Sequence, residues 1–235
     1  MSRTDPFAEF DLICEFPFAI DAFSELRKYI RAVNEFMPYV AAQQSIRISA
    51  RLKKASDPVS QAEMESELEA VGHDASIVLP RIIWGGVLVS VFAAFEYGVK
   101  KAINHWQVTV GHPVEFKILP RKDFIKSAEA YSTEQMQLPL FMNPKARQTL
   151  MDLKAFRNSF AHGSGLLSDL PAHIAEAISK KAHPGASLEI EDGQWVGNAR
   201  SAAYYLLSGE KAINAFGESV LDKCLAHHRA QRSEV

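Results

Sequence analysis

Residues 82–95 read IIWGGVLVSVFAAF, a run of fourteen residues without a charged side chain, bounded by Arg81 and Glu96. A helix that crosses a membrane needs about 20 mainly apolar residues. This run is shorter, contains two glycines and a serine, and is soon followed by Lys100 and Lys101. It therefore predicts a helix buried at the centre of a folded protein and apolar on most of its faces, not a segment in a membrane.

The residues before this run predict an N-terminal arm and two helices. Residues 7–18 are rich in aromatic side chains and indicate an extended arm or a short strand. Apolar residues then recur every three or four positions between 20 and 40, which is typical of a long amphipathic helix. Pro38 should kink or split that helix. The acidic stretch 60–71 predicts a second helix that ends at Gly72.

The central helix itself should begin with Asp74 as its N-cap and continue to about Gln107. A loop over 108–122 contains one glycine and two prolines, and a further helix around 122–137 follows. These boundaries place the apolar run in the middle of a chain that consists mostly of helices.

The clearest helix boundaries lie in the second half of the chain. Asn143 followed by Pro144 is a strong start signal, because Asn caps free N–H groups and Pro fits the first helical position. Gly163 is an equally clear stop signal. We therefore predict a helix over 144–162.

A small β-hairpin should precede the last helix. Residues 188–196 alternate in polarity around an Asp-Gly pair at 192–193, the signal for a two-residue turn. In that register Ile190 faces Trp195 on the opposite strand. Ser208 is then available to cap the final helix.

The composition fits one ordinary folded domain. The chain has 235 residues, 47% hydrophobic and 23% charged, with a formal net charge of −2. We expect a single, mostly α-helical domain over 1–235, with the small hairpin before the last helix. Two cysteines cannot form a disulfide framework, and the N-terminus does not resemble a signal peptide, so a cytoplasmic protein without a membrane segment is expected.

The helix over 144–162 has faces of different chemistry. Its apolar stripe consists of Leu150, Leu153, Phe156 and Phe160, whereas Lys154, Asn158 and His162 share another face at a spacing of four. Arg157 borders the stripe. Five positions separate Arg157 from His162, about 140° around a regular helix. If the two side chains act together, a second chain or a distorted last turn must bring them together.

Arginine and histidine without a nearby carboxylate or cysteine suit phosphodiester chemistry. Arginine presents a planar, permanently charged fork to a phosphate. Histidine can accept and release a proton near neutral pH. RNA carries its own nucleophile in the 2′-OH, so an enzyme that deprotonates this group needs neither a metal ion nor a covalent intermediate.

The segment from Arg157 to His162, RNSFAH, resembles the R-(x4–6)-H motif of HEPN domains, including the polar residue that commonly follows the arginine. The resemblance extends over 75–228: an acidic residue, here Glu96, lies on a long apolar helix before the motif, and a helix over 209–228 follows it. It implies a HEPN-like helical bundle. Active members are metal-independent endoribonucleases, and many are toxins or act in phage defence.

The resemblance also implies an arrangement of the site. HEPN proteins form homodimers in which the motifs of two chains share one cleft. Arg157 would then hold the scissile phosphate, His162 would act as base or acid, and Asn158 would orient the phosphate or the imidazole. Lys154 and Ser159 would contact the RNA substrate, and Glu96 would support the site. No cofactor or metal is implied, and an antitoxin or regulatory partner is expected.

Structural roles are available to the same residues. His162 could complement the helix dipole, Arg157 could be a solvated surface residue, and Asn158 could bond to a neighbouring helix. Glu96 could pair with Arg157 or Lys100. Two other functions stay open: a non-catalytic RNA- or protein-binding module, and a regulatory domain that binds a small nucleotide.

Charge is distributed unevenly along the chain. Residues 95–181 carry twelve Lys and Arg against eight Asp and Glu, although the whole chain is slightly acidic. The positive part includes the motif, which suits a polyanionic substrate. The histidine pairs His105 with His112 and His227 with His228 have no cysteine or carboxylate at a spacing typical of zinc ligands, so no metal site is predicted.

Overall fold

A computed structural model describes residues 17–55, 57–118, 123–163, 165–180, 189–191 and 193–233. Most of these residues are helical, and the predicted mostly α fold is confirmed. The α-helices are α1 (Pro17–Leu52), α2 (Pro58–His73), α3 (Leu79–Val110), α4 (Phe124–Glu134), α5 (Pro144–Gly163), α6 (Ala172–Ser179) and α7 (Ala199–Ser233). The arm predicted over 7–18 lies outside the described residues, except that α1 begins at Pro17.

The predicted hairpin is present in the predicted register. Strands β1 (Glu189–Glu191) and β2 (Gln194–Val196) pair antiparallel, and Ile190 lies opposite Trp195. Gly193 in the turn has a φ of +75°, a conformation that glycine adopts without steric cost. A 3₁₀ turn, Leu167–Asp169, and helix α6 lie between α5 and the hairpin and have no counterpart in the sequence prediction.

Polar side chains cap the N-termini of α2, α4 and α5. Asn143 Oδ1 accepts a hydrogen bond of 2.7 Å from the backbone N–H of Ala146 and so caps α5 as predicted. Asp57 caps α2 through the N–H of Ser60 at 2.8 Å. Asp123 caps α4 in the same way. The predicted helix over 144–162 is thereby confirmed almost residue for residue.

The predicted end of α2 at Gly72 is wrong. The helix continues through Gly72 to His73 and joins α3 through a π-helical segment, Asp74–Val78. Asp74 has helical backbone angles, φ −59° and ψ −42°, so it does not cap α3. A glycine ends a helix when it adopts a positive φ, and Gly72 does not. The turn widens instead: the N–H of Leu79 donates to the carbonyl of Asp74, five residues back.

Two further boundaries differ from the sequence prediction. The split predicted at Pro38 does not occur, because α1 is continuous through this residue, and the kink predicted there stays a prediction. Helix α7 begins at Ala199, well before Ser208. Asn198 provides the cap, because its Oδ1 accepts 3.0 Å hydrogen bonds from the N–H groups of Arg200 and Ser201.

The chain divides into two compact units. Unit 1 comprises Met1–Glu25, Ser90–Lys154 and Tyr205–Val235, and unit 2 comprises Leu26–Val89 and Ala155–Tyr204. The boundaries fall inside α1, α3, α5 and α7. Each unit has buried side chains of its own. Those of unit 1 include Phe95, Ile103, Ile125, Met136 and Phe216, and those of unit 2 include Trp84, Leu88, Phe156, Trp195 and Ala202.

Helix α3 carries the apolar run from which the fold was predicted. Among the described residues, α3 is the one helix whose length and apolar composition would be sufficient to cross a membrane. Half of its most apolar stretch of 18 residues is buried inside the protein. Trp84, Leu88 and Phe95 on this helix are each less than 5% exposed.

Candidate functional site

The candidate motif lies at the C-terminal end of α5. Arg157 and Asn158 belong to the part of the helix in unit 2, and both side chains are partly exposed. The backbone of His162 is helical, one residue before the helix ends at Gly163, whereas its side chain lies outside the described part of the structure. The helix bounds, Pro144 and Gly163, therefore place the motif in the last two turns of α5.

Arg157 and Asn158 contact each other directly. Nη1 of Arg157 donates a hydrogen bond of 2.9 Å to Oδ1 of Asn158. A guanidinium has five N–H donors, so one such bond orients the group and leaves other donors that a phosphate can engage. Asn158 was predicted to orient a phosphate or an imidazole. In this structure it holds the arginine.

Aromatic packing fixes the opposite side of the same two helical turns. The ring of Phe156 is fully buried and meets Trp195 of β2 edge-on, with 5.1 Å between centroids. Phe160 lies 6.4 Å from the same indole. On its other side Phe160 covers Gly85 of α3 so closely that a Cβ at position 85 would lie 2.3 Å from the ring. The polar face of the motif is therefore supported by rigid packing behind it.

Ser159 belongs to this packed side and not to the exposed one. Its hydroxyl accepts a 3.1 Å hydrogen bond from Nε1 of Trp195 and donates one of 3.1 Å to the carbonyl of Leu166. Only 3% of Ser159 is exposed. The expectation that Ser159 contacts substrate is corrected by this geometry, because its hydroxyl is buried and engaged with protein groups.

The chain that leaves α5 is fastened to the hairpin. The carbonyl of Ser159 accepts from the N–H of Gly165, and the carbonyl of Gly165 accepts from the N–H of Trp195 at 3.1 Å. The N–H of Leu167 then donates to the carbonyl of Gly193 at 2.9 Å. The hairpin thus positions the last turn of α5, a role that the alternating residues and the Asp-Gly pair do not indicate.

Lys154 forms an ion pair with Asp123. Its Nζ lies 2.9 Å from Oδ2 of Asp123, the cap of α4, and both side chains are about four-fifths buried. Burial opposes ionisation of Asp123, but hydrogen bonds from the N–H of Lys126 and from Lys154 outweigh it and hold the pKa of that carboxyl below its usual value. Contact of Lys154 with substrate would therefore require this ion pair to open.

Glu96, the predicted supporting residue, lies partly exposed on the part of α3 that belongs to unit 1. Its proposed pairing with Arg157 or Lys100 stays a prediction. Among the residues that the structure describes, no three His, Cys, Asp or Glu side chains are grouped so that they could hold a metal ion.

Comparison with known proteins does not assign this chain to a family. A scan against protein-family models, a search of curated proteins and a search of solved structures each gave no match. The motif and its geometry are therefore the basis for proposing a function.

Proposed function

We propose that this protein is a metal-independent endoribonuclease of the HEPN type that acts as a homodimer. The observation that supports this proposal is the contact between Arg157 and Asn158, which presents an oriented guanidinium on the last turns of α5. His162 follows one and a half turns later on the same helix. An arginine fork and a histidine on the last turns of one helix can provide a phosphate ligand and a proton carrier.

The proposed reaction uses the 2′-OH of the substrate as nucleophile. His162 of one protomer takes the proton of the 2′-OH, whose oxygen then attacks the adjacent phosphorus. His162 of the partner subunit gives a proton to the 5′-oxygen as the bond from phosphorus to that oxygen breaks. The products are a 2′,3′-cyclic phosphate and a 5′-OH end. Arg157 stabilises the negative charge that develops on the phosphoryl oxygens, and Asn158 holds Arg157 in place.

Helix geometry supports the proposed homodimer. Side chains five positions apart diverge by about 140° and are displaced by about 7.5 Å along a regular helix. A twofold axis beside the end of α5 would place two arginines and two histidines around a single phosphate. The interface would include α5 and part of α3.

The wider setting is proposed on the same basis. A cytoplasmic protein with a local excess of positive charge around the motif is suited to RNA as its substrate. The resemblance to HEPN proteins suggests a toxin or a phage-defence effector, with an antitoxin or regulatory protein as its partner.

Incubation of the purified protein with total RNA in excess EDTA tests the proposal. Wild-type protein should produce fragments with 2′,3′-cyclic phosphate ends, and His162→Ala and Arg157→Ala should each abolish cleavage. His173→Ala, at an exposed position on α6, is the matched control and should cleave like the wild type. DNA of the same sequence, and RNA with 2′-O-methyl at the cleavage position, should stay intact.

Three results would contradict the proposal: a requirement for Mg²⁺ or Mn²⁺, equal cleavage of DNA, or wild-type cleavage by His162→Ala. Binding of RNA without any cleavage would instead favour the non-catalytic module. The rate should depend on pH as a bell-shaped curve, because one histidine must be neutral while its twofold mate is protonated.

A further inference from the structure

An open pocket of about 500 Å³ lies in unit 1, between α3 and the segment that follows it. Its wall on α3 is formed mainly by Tyr97, Lys100, Lys101 and Asn104, and its opposite wall by Phe116 and Ile118. None of these residues belongs to the motif on α5. The volume lies within the range of sites that bind small molecules, roughly 300–1,000 Å³.

The wall opposite α3 is held in place by converging contacts. The carbonyl of Val114 accepts one hydrogen bond from Nε2 of Gln107, at 2.7 Å, and another from the hydroxyl of Tyr131. The ring of Phe116 packs edge-on against Phe124 and Tyr131, with centroids 6.2 and 5.4 Å apart. The pocket is therefore formed before any ligand arrives, which lowers the entropic cost of binding.

Two ammonium groups lie at this pocket, each over an aromatic ring. Nζ of Lys100 is 5.3 Å from the ring centroid of Phe124, and Nζ of Lys101 is 5.7 Å from that of Tyr97. Such cation–π contacts favour these positions of the two ammonium groups. Glu115 also lines the pocket, but its carboxylate pairs at 3.1 Å with Lys117. Among the residues that line the pocket, two lysines carry positive charge and one glutamate carries negative charge, so the lining has a net formal charge of +1.

The same pocket exposes flat and branched apolar surface to solvent. Tyr97 is 46% exposed and Ile118 is 48% exposed. An exposed aromatic ring beside lysines is the combination with which proteins bind single-stranded nucleic acid, the ring stacking on a base and the cations meeting the backbone.

We infer that this pocket binds a nucleotide. The base packs against Tyr97 and Ile118, the phosphate meets Lys100 and Lys101, and the carboxamide of Asn104 hydrogen-bonds to the base edge or the sugar. A residue of a single-stranded RNA and a free mononucleotide share this chemistry. The inference goes beyond the proposed cleavage, because it requires neither Arg157 nor His162.

Binding measurements on the full-length protein test this inference without relying on catalysis. The probes are a fluorescein-labelled 2′-O-methyl RNA, which cannot be cleaved through its 2′-oxygen, followed by fluorescence anisotropy, and 5′-AMP, followed by calorimetry. Tyr97→Ala should weaken binding about tenfold or more, and Tyr97→Phe, which keeps the ring, should bind like the wild type. With the oligonucleotide, Lys100→Met/Lys101→Met should reduce the slope of log K against log salt concentration by about 0.7 for each phosphate contact that is lost.

The chain offers matched controls for each variant. Lys53→Met/Lys54→Met removes an adjacent pair of exposed lysines elsewhere, and Tyr39→Ala removes a tyrosine that is 59% exposed on α1. Both should bind like the wild type, and circular dichroism should show that all variants are folded.

The two probes separate the two sources of the nucleotide. Binding of the oligonucleotide alone, dependent on Tyr97, identifies an RNA strand, and binding of 5′-AMP alone, dependent on Tyr97, identifies a free nucleotide. If the wild type binds neither probe, or if the Tyr97 and lysine variants bind both as tightly as the wild type, the inference is wrong. Loss of RNA cleavage by His162→Ala with unchanged binding would support the pocket and the proposed catalysis separately.

Discussion

Trp195 donates a buried hydrogen bond of 3.1 Å from its indole Nε1 to the hydroxyl of Ser159, 36 positions earlier in the chain. Ser159 lies between Asn158 and Phe160, in the middle of the candidate motif. The bond thus joins the small hairpin to the helix that carries Arg157 and His162, and it holds the buried side of that helix while the polar side stays accessible.

Loss of this hydrogen bond should weaken the fold. Ser159→Ala leaves the buried indole N–H without its acceptor and is expected to lower the free energy of unfolding by about 1–3 kcal/mol in urea titrations. Trp195→Phe removes the donor and part of a fully buried side chain. In a double-mutant cycle, the double variant should lose less unfolding free energy than the sum of the two single losses, by at least about 0.5 kcal/mol. Strict additivity would show that the bond contributes nothing.

Gly85 and Gly86 should respond in opposite ways to alanine. A Cβ at position 85 would lie 2.3 Å from the ring of Phe160, whereas one at position 86 would have no neighbour within 4 Å. Gly85→Ala should therefore destabilise the protein by about 1–3 kcal/mol through overpacking. Gly86→Ala should stabilise it by about 0.5–1 kcal/mol, because alanine favours the helix. Thermal unfolding of both variants checks the contrast, and equal effects would contradict it.

The pair of Asp123 and Lys154 should make stability depend on pH. Because the pKa of Asp123 is lowered in the folded protein, its contribution is present above the usual value of 3.8 and is lost as the pH falls through the folded value. Asp123→Asn keeps the helix cap but removes the charge, so we expect a loss of about 1 kcal/mol at pH 7 that shrinks towards zero on acidification.

Urea unfolding at a series of pH values measures this effect. Asp222→Asn, at an exposed position on α7, is the control and should stay within about 0.5 kcal/mol of the wild type throughout. A loss for Asp123→Asn that is independent of pH would show that the charge plays no part.

Arginine at position 157 should not be replaceable by lysine. Lysine keeps the positive charge but lacks the planar fork that Asn158 orients. We expect Arg157→Lys to lower the single-turnover rate of RNA cleavage by about 100-fold or more, the loss typical of one misplaced transition-state donor. Arg200→Lys, at an exposed position on α7, should cleave normally. Wild-type rates for Arg157→Lys would mean that charge alone is sufficient.

The assembly is checked by light scattering. A homodimer built on α5 should have a mass of twice 26.1 kDa at micromolar concentration. A monomer at that concentration would count against a composite active site, whatever the activity of the protein.

The helix boundaries that the sequence predicted correctly depend on local chemistry. Asn143 with Pro144 defined the start of α5, and the Asp-Gly turn defined the register of Ile190 with Trp195. Gly72 and Ser208 gave wrong helix boundaries, because glycine and serine occur both at helix ends and inside long helices. A glycine or serine inside a long helix is tolerated when neighbouring turns are stabilised by packing, and sequence periodicity does not measure packing.

The candidate site was predicted only in part for a different reason. The position of Arg157 and Asn158 near the end of a helix follows from local signals. The engagement of Ser159 by Trp195 and of Lys154 by Asp123 depends on partners more than 30 positions away. No spacing rule within one helix indicates such contacts. The sequence therefore could not show that this serine and this lysine bond to other protein groups.

The π-helical segment Asp74–Val78 has a consequence for changes in chain length. Its wide turn contains about one residue more than an α-helical turn needs. Deletion of one residue there would let α2 and α3 join as a regular helix. The side chains on both sides of the junction would then keep nearly their present directions around the helix axis. Deletion of one residue between Trp84 and Leu88 would instead rotate these two core side chains by about 100° relative to each other. The π segment is therefore the place in this long helical stretch where a one-residue deletion should be tolerated.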